Sequence, residues 1–244
     1  MTKVNHKRFD LNTKIDFIYY LRFLIVAVDK RLRGLKQHLN ELKRDMERLG
    51  VAEYSQRKIP AYVYERHNDA LQYAPGYLLN LIGDHSESAA SYKKFREIAE
   101  RRISRGADWS LPKLSDEIKD AIKRLNNARN WGLHVPESLI NAQIESAREV
   151  YGIDARAEAL TNPELIKVNF FTYFNSEWLL SLYHSEMSNY EEFRNVYQQM
   201  KRDYSSLVGS SVRIEPVHHD LRPFEDEILI PQTSFLMQNR KFKN

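Results

Sequence analysis

Residues 12 to 49 carry apolar side chains at helical spacing without a break. Ile15, Ile18, Tyr19, Phe23, Val26 and Val28 lead into Leu32, Leu35, Leu39, Leu42, Met46 and Leu49. The steps are mostly three and four, the repeat of one helix face. Asn12 or Thr13 can cap the start and Gly50 can end the helix. At 1.5 Å per residue such a helix is roughly 55 Å long. An element of that length needs long helical neighbours or a second copy of itself, so it predicts the spine of a bundle or of a dimer. Its most apolar run, "FIYYLRFLIVAV" at 17–28, is too short to span a bilayer and is interrupted by Arg22. It reads as buried helix, and no membrane partner is expected.

The rest of the chain follows the same pattern. Pro60 opens a helical segment to about residue 73, Pro75-Gly76 breaks it, and "YLLNLI" follows to residue 82. Ser86 to Ile103 reads as a helix, with Asp84-His85-Ser86 capping its start. Arg105 to Asp108 is a loop, and Leu111 to about His134 is again helical. Pro136 suits the first turn of the next helix, which runs to about Tyr151 and ends at Gly152. Asn162-Pro163 opens a helix to about Met187, carrying Phe170, Phe171, Tyr173, Phe174, Trp178 and Tyr183 as core or as an oligomer face. Asn189 to Leu207 is the last helix. Beyond Gly209, "SVRIEPV" and "EILIPQ" read as short strands or as an extended tail. The expected class is all-α, six to eight helices in a bundle over 1–208. An irregular or small-β extension over 209–244 would pack on the bundle or on a partner. Only eight Gly and eight Pro agree with long helices rather than many turns.

Charge is mixed, with a net of +4. Between Arg22 and Arg66, eleven Lys or Arg stand against six Asp or Glu; this is an anion-attracting surface or simply a set of solvated helix faces. Cysteine is absent, which removes disulfides and thiolate zinc sites. Lys3, Lys7, Arg8 and Asp10 precede no clean apolar run, so no secretory leader is expected and the location is read as cytoplasmic. His218-His219-Asp220 has metal-ligand types, but adjacent residues point apart. No metal and no cofactor are expected. Trp109, Trp131 and Trp178 read as packing residues.

The segment around residues 119–137 carries the chemistry. Leu114, Ile118, Ile122 and Leu125 form an apolar stripe, and Arg129 continues it four residues on. A second stripe, Lys119, Lys123, Asn127, Asn130 and His134, is wholly polar. Arg129 and His134 are five apart, about 140° around an ideal helix. Gly132 relaxes the turn, and Pro136 disfavours helical geometry at Val135; these breakers fit a site that gathers both groups into one pocket, and they equally fit an ordinary helix end. An arginine on an apolar stripe needs a partner. That partner is either a carboxylate, such as Glu137 or one from a neighbouring helix, or a phosphate gripped through two hydrogen bonds.

Arg129-Asn130-Trp131-Gly132-Leu133-His134 resembles the Arg-Asn-x-x-x-His signature of the HEPN superfamily. The chain has two other Arg-x4-His pairs, Arg33/His38 and Arg213/His218, but only the middle one has Asn after Arg. The resemblance implies a compact helical bundle, often a homodimer with motifs paired across the axis. It also implies metal-independent endoribonuclease chemistry. In that reading Arg129 holds the scissile phosphate, His134 moves a proton, and Asn130 orients the imidazole or binds phosphate. Lys119, Lys123, Arg124 and Asn127 would line the path of the RNA. The family further implies a bacterial or phage-associated defence or toxin role, restrained by a protein antitoxin or regulator. Some toxin members place Tyr two residues after His, where this chain has Pro136, so modification of that Tyr by a nucleotidyltransferase partner is not implied here. The rival expectation is a non-catalytic helical interaction module, in which Arg129 pairs with a carboxylate of its own chain.

Overall fold

The computed structural model describes residues 9–53, 56–86, 89–132, 137–161, 163–164, 166 and 170–216. Among them are seven helices: α1 (Lys14–Leu49), α2 (Ala61–Gly83), α3 (Tyr92–Ser104), α4 (Asp116–Gly132), α5 (Glu137–Tyr151), α6 (Ala155–Thr161) and α7 (Ser176–Val208). Two three-residue strands, β1 (Lys58–Pro60) and β2 (Tyr173–Asn175), pair antiparallel with Ile59 opposite Phe174. The chain is all-α. No helix among the described residues is long and apolar enough to cross a membrane.

The long N-terminal helix is present as expected. Thr13 caps it with a reciprocal box, its side chain accepting from the Asp16 N–H while Asp16 accepts from the Thr13 N–H. Gly50 ends it at φ +63°, a conformation that favours glycine. Its buried face is not the expected one in the first half. Phe17, Tyr20, Leu21, Leu24, Ile25 and Val28 are buried, while Ile15, Tyr19, Phe23 and Val26 face outward. Both faces are apolar there, so spacing alone could not choose between them. From Leu32 to Met46 the expected residues are buried.

Helix α1 packs along α7 and α2, and α4 packs against the same two helices. Helix α3 packs on α1 and α2. Phe17 and Tyr20 meet Phe95 of α3, and Phe17 also meets Trp109, with ring centres 4.8 Å apart. A buried polar knot joins α3 to α7: Tyr92 donates to Asp203 at 2.7 Å, Gln199 donates to its other oxygen at 2.8 Å, and Arg96 lies 3.5 Å away. Burial holds the Asp203 carboxyl above its usual range, against the opposing pull of Arg96. Between α1 and α2, buried His67 sits 2.9 Å from Asp45, with Arg66 and Arg48 on the same carboxylate. Burial pushes Asp45 up, but the His67 hydrogen bond and the two arginines outweigh it and hold the group below the usual carboxylate range.

Several boundaries differ from expectation. Pro75-Gly76 does not break the second helix; α2 runs through both. Proline inside a helix costs roughly 3 kcal/mol, but Leu71 before it and Leu78, Leu79, Leu81 and Ile82 after it are all buried, and their packing offsets that cost. Asp84 ends α2 rather than starting the next helix, and the N-cap of α3 is Ser91, which accepts from the Lys94 N–H. Helix α4 begins at Asp116, not Leu111, with the Ser115 hydroxyl accepting from Ile118. No helix starts at Pro163 and reaches the aromatic run: residues 173–175 are strand, and α7 then continues unbroken past residue 187 to Val208. Of those aromatics, Phe170, Phe171, Tyr173 and Trp178 are exposed, not core. Residues 210–216 form neither helix nor strand. "EILIPQ" and His218-His219-Asp220 lie outside the described residues.

Candidate functional site

The last turn of α4 meets the end of α2 at very short range. Gly83 has no side chain, and a β-carbon there would stand 3.0 Å from the Asn126 α-carbon. That close backbone approach brings the residues one turn along each helix together. Arg129 Nε donates to Asn80 Oδ1 at 3.0 Å, and an Arg129 terminal nitrogen lies 3.0 Å from Asp84 Oδ2. The side chains of Arg129 and Asp84 are 20% and 11% exposed. Asp84 is itself fixed: its N–H donates to the Asn80 carbonyl, and Oδ1 accepts from the Ser86 N–H at 2.8 Å. The Asp84 carbonyl accepts from the Ser91 hydroxyl, which ties the site to the start of α3.

The guanidinium is thus oriented by an amide oxygen from the last turn of α2 and by the carboxylate of the extended residue that caps that helix. Arg129 in the final turn also complements the partial negative charge of the α4 C-terminus. The neighbouring carboxylate expected from the sequence exists in Asp84, at the end of α2; the Glu137 side chain lies outside the described residues. Sequence patterning alone does not mark Asn80 and Asp84 as site residues. Their i, i+4 spacing was visible, but a helix break at Pro75-Gly76 and a helix start at Asp84 placed them on different elements.

The other candidates divide. Asn130 follows Arg129 within α4. His134 lies outside the described residues, with Leu133, Val135 and Pro136. Lys119, Lys123, Arg124 and Asn127 are all exposed on α4. Lys119 lies 2.8 Å from Asp116, and Arg124 donates to Glu192 of α7 at 2.7 Å. Two of the three cations therefore already face carboxylates. The comparison pair Arg33/His38 is engaged along α1: Arg33 with Asp29 at 2.6 Å, His38 with Glu41 at 3.6 Å. Arg213 lies 3.1 Å from Glu215, and His218 is outside the described residues.

Fold and site together define an all-α bundle with an oriented arginine at the junction of two helix ends. Compared with protein-family models, curated proteins and solved structures, the chain matches none.

Proposed function

We propose that this chain is a metal-independent endoribonuclease of HEPN type, acting where α4 ends. The carrying observation is the orientation of Arg129 by Asn80 and Asp84 at the helix end that leads, five residues on, to His134. A phosphate-binding arginine is effective when its plane is set before the substrate arrives. RNA supplies its own nucleophile. The 2′-oxygen attacks phosphorus, the bond from phosphorus to the 5′-oxygen breaks, and His134 takes the first proton or delivers one to the leaving oxygen. Arg129 offsets the charge that builds on the phosphoryl oxygens. The products are a 2′,3′-cyclic phosphate and a 5′-hydroxyl, and DNA is inert because it lacks the 2′-hydroxyl. Lys119, Lys123, Arg124 and Asn127 would meet the strand, with Arg124 first releasing Glu192. A homodimer, an inhibitory protein partner and a role in defence belong to this reading through the resemblance alone.

One observation favours the rival, a helical interaction module: the Arg129 charge already has a carboxylate of its own chain in Asp84. One assay separates the two. A uniformly labelled RNA is incubated with the wild type and with Arg129→Ala and His134→Ala, and products are examined for cyclic phosphate ends. Arg33→Ala and His38→Ala serve as controls. The ribonuclease reading expects cleavage lost in the first two variants and kept in the controls. Equal cleavage by all four variants would remove the activity from this site. No cleavage by folded wild type, with Arg129→Ala strongly destabilised, would favour the interaction module.

A further inference from the structure

The outward face of α1 changes character along its length. Over the first three turns it shows Ile15 (75% exposed), Tyr19 (64%), Phe23 (54%) and Val26 (61%). Beyond them the same exposed line continues as Lys30, Arg33, Gln37 and Asn40. Phe9, also exposed, stacks on Tyr19 with ring centres 5.8 Å apart and widens the apolar half. The opposite face of these turns is already buried in the bundle through Phe17, Leu21, Leu24 and Val28. The outer stripe is therefore surplus to the bundle.

Side chains of this size offer roughly 150–250 Å² each when aromatic, so these five present on the order of 600 Å². That is the top of the range of about 300–600 Å² for the largest patch on a monomer. Doubled across a two-fold axis it passes the roughly 1,000 Å² that marks a specific interface.

We infer that the first three turns of α1 dock against the same turns of a second copy, antiparallel. The sequence of the stripe is self-complementary about a point between Tyr20 and Leu21. Ile15 then falls opposite Val26, and Tyr19 opposite Arg22. This register accounts for Arg22, the one charge in the midst of the patch. Its guanidinium lies against the Tyr19 ring of the second copy and within reach of the exposed Asp10, which follows Phe9. The axis is then on the α1 side of the bundle. The inference does not depend on the ribonuclease reading.

The absence of cysteine permits a direct test. Arg22→Cys and Asn127→Cys each supply one thiol, on α1 and α4 respectively. Full-length protein is treated at micromolar concentration with a short bis-maleimide, which can join thiols that stand about one turn out of register across a helix pair and so lie beyond disulfide reach, and run on a denaturing gel, with light scattering on the wild type and on Tyr19→Glu/Val26→Glu. The expected result is a wild-type dimer, efficient cross-linking of Arg22→Cys alone, and a double variant that stays folded by circular dichroism while its dimer dissociation constant rises at least roughly a hundredfold. A monomeric wild type would overturn the inference. So would cross-linking through Asn127→Cys in place of Arg22→Cys, or a folded double variant that dimerises as before.

Discussion

Removing Arg129 tests whether the pairing with Asp84 holds the two helix ends together. Arg129→Ala takes away the donor to Asn80 and the cation beside Asp84. A charge-assisted hydrogen bond contributes about 1.5–3 kcal/mol, and breaking a fully buried ion pair costs roughly 3–5 kcal/mol. Here the side chains keep 20% and 11% of their exposure, so water partly rehydrates the stranded carboxylate, and about 2 kcal/mol is expected. Asp84→Asn keeps the shape and removes the charge, for about 1 kcal/mol. Because the partners touch, the double variant should be less destabilised than the two singles combined, with a coupling of about 1 kcal/mol. Urea unfolding at neutral pH of the wild type, both singles and the double measures this. A coupling under about 0.3 kcal/mol would refute the argument that the pair is a working contact. Cleavage assays on the same proteins add a second axis. If Asp84 only orients the guanidinium, Asp84→Asn should lower the rate by roughly tenfold, whereas Arg129→Ala should lose at least a thousandfold.

Three further outcomes follow from other residues. Gly83→Ala places a β-carbon against the Asn126 backbone, so thermal and urea unfolding should show a loss of roughly 1–3 kcal/mol, with weakened coupling between Arg129 and Asp84. The Asp45 carboxyl is held below its usual range in the folded chain. Its contribution is therefore complete above the unfolded value and is lost as pH falls through the depressed one. Asp45→Asn should cost about 1 kcal/mol at pH 7, and its unfolding curve should converge on the wild type once the pH has fallen through the depressed folded value; a gap that persists in strong acid would refute the assignment. RNA cleavage should survive excess EDTA, since an arginine, an asparagine and a histidine carry the proposed reaction; loss of activity restored by magnesium or manganese would overturn that mechanism.

How far the sequence could be read depended on whether a signal was local. Thr13, Asp16 and Gly50 specify both ends of α1 within a few residues, and those ends are where the spacing placed them. The inner and outer faces of its first half were not legible, because Ile15, Tyr19, Phe23 and Val26 are as apolar as Phe17, Leu21, Leu24 and Val28, and the position of the neighbouring helices, α3 among them, decides between the two. Pro75 misled for a related reason. Its penalty is written in the sequence, but the buried leucines that outweigh it count only once a neighbouring helix covers them. At the candidate site the stripe leading to Arg129 was visible. Its partners were not, since Asn80 and Asp84 lie more than forty residues away in the chain and meet Arg129 only through the close approach at Gly83.

The small β1–β2 ladder has a consequence for the order in which parts of the chain come apart. It joins Lys58 to Asn175 and is extended by the Arg57 and Ser176 backbones at 2.8 Å, so it closes a loop of more than a hundred residues with only a handful of hydrogen bonds. Pro60 has no N–H to give it. Such a clasp forms late, after the helices have brought its ends together, and it opens at less than the global free energy. The beginnings of α2 and α7 can therefore exchange their amides while the far end of α2, pinned at Gly83 against α4, remains closed.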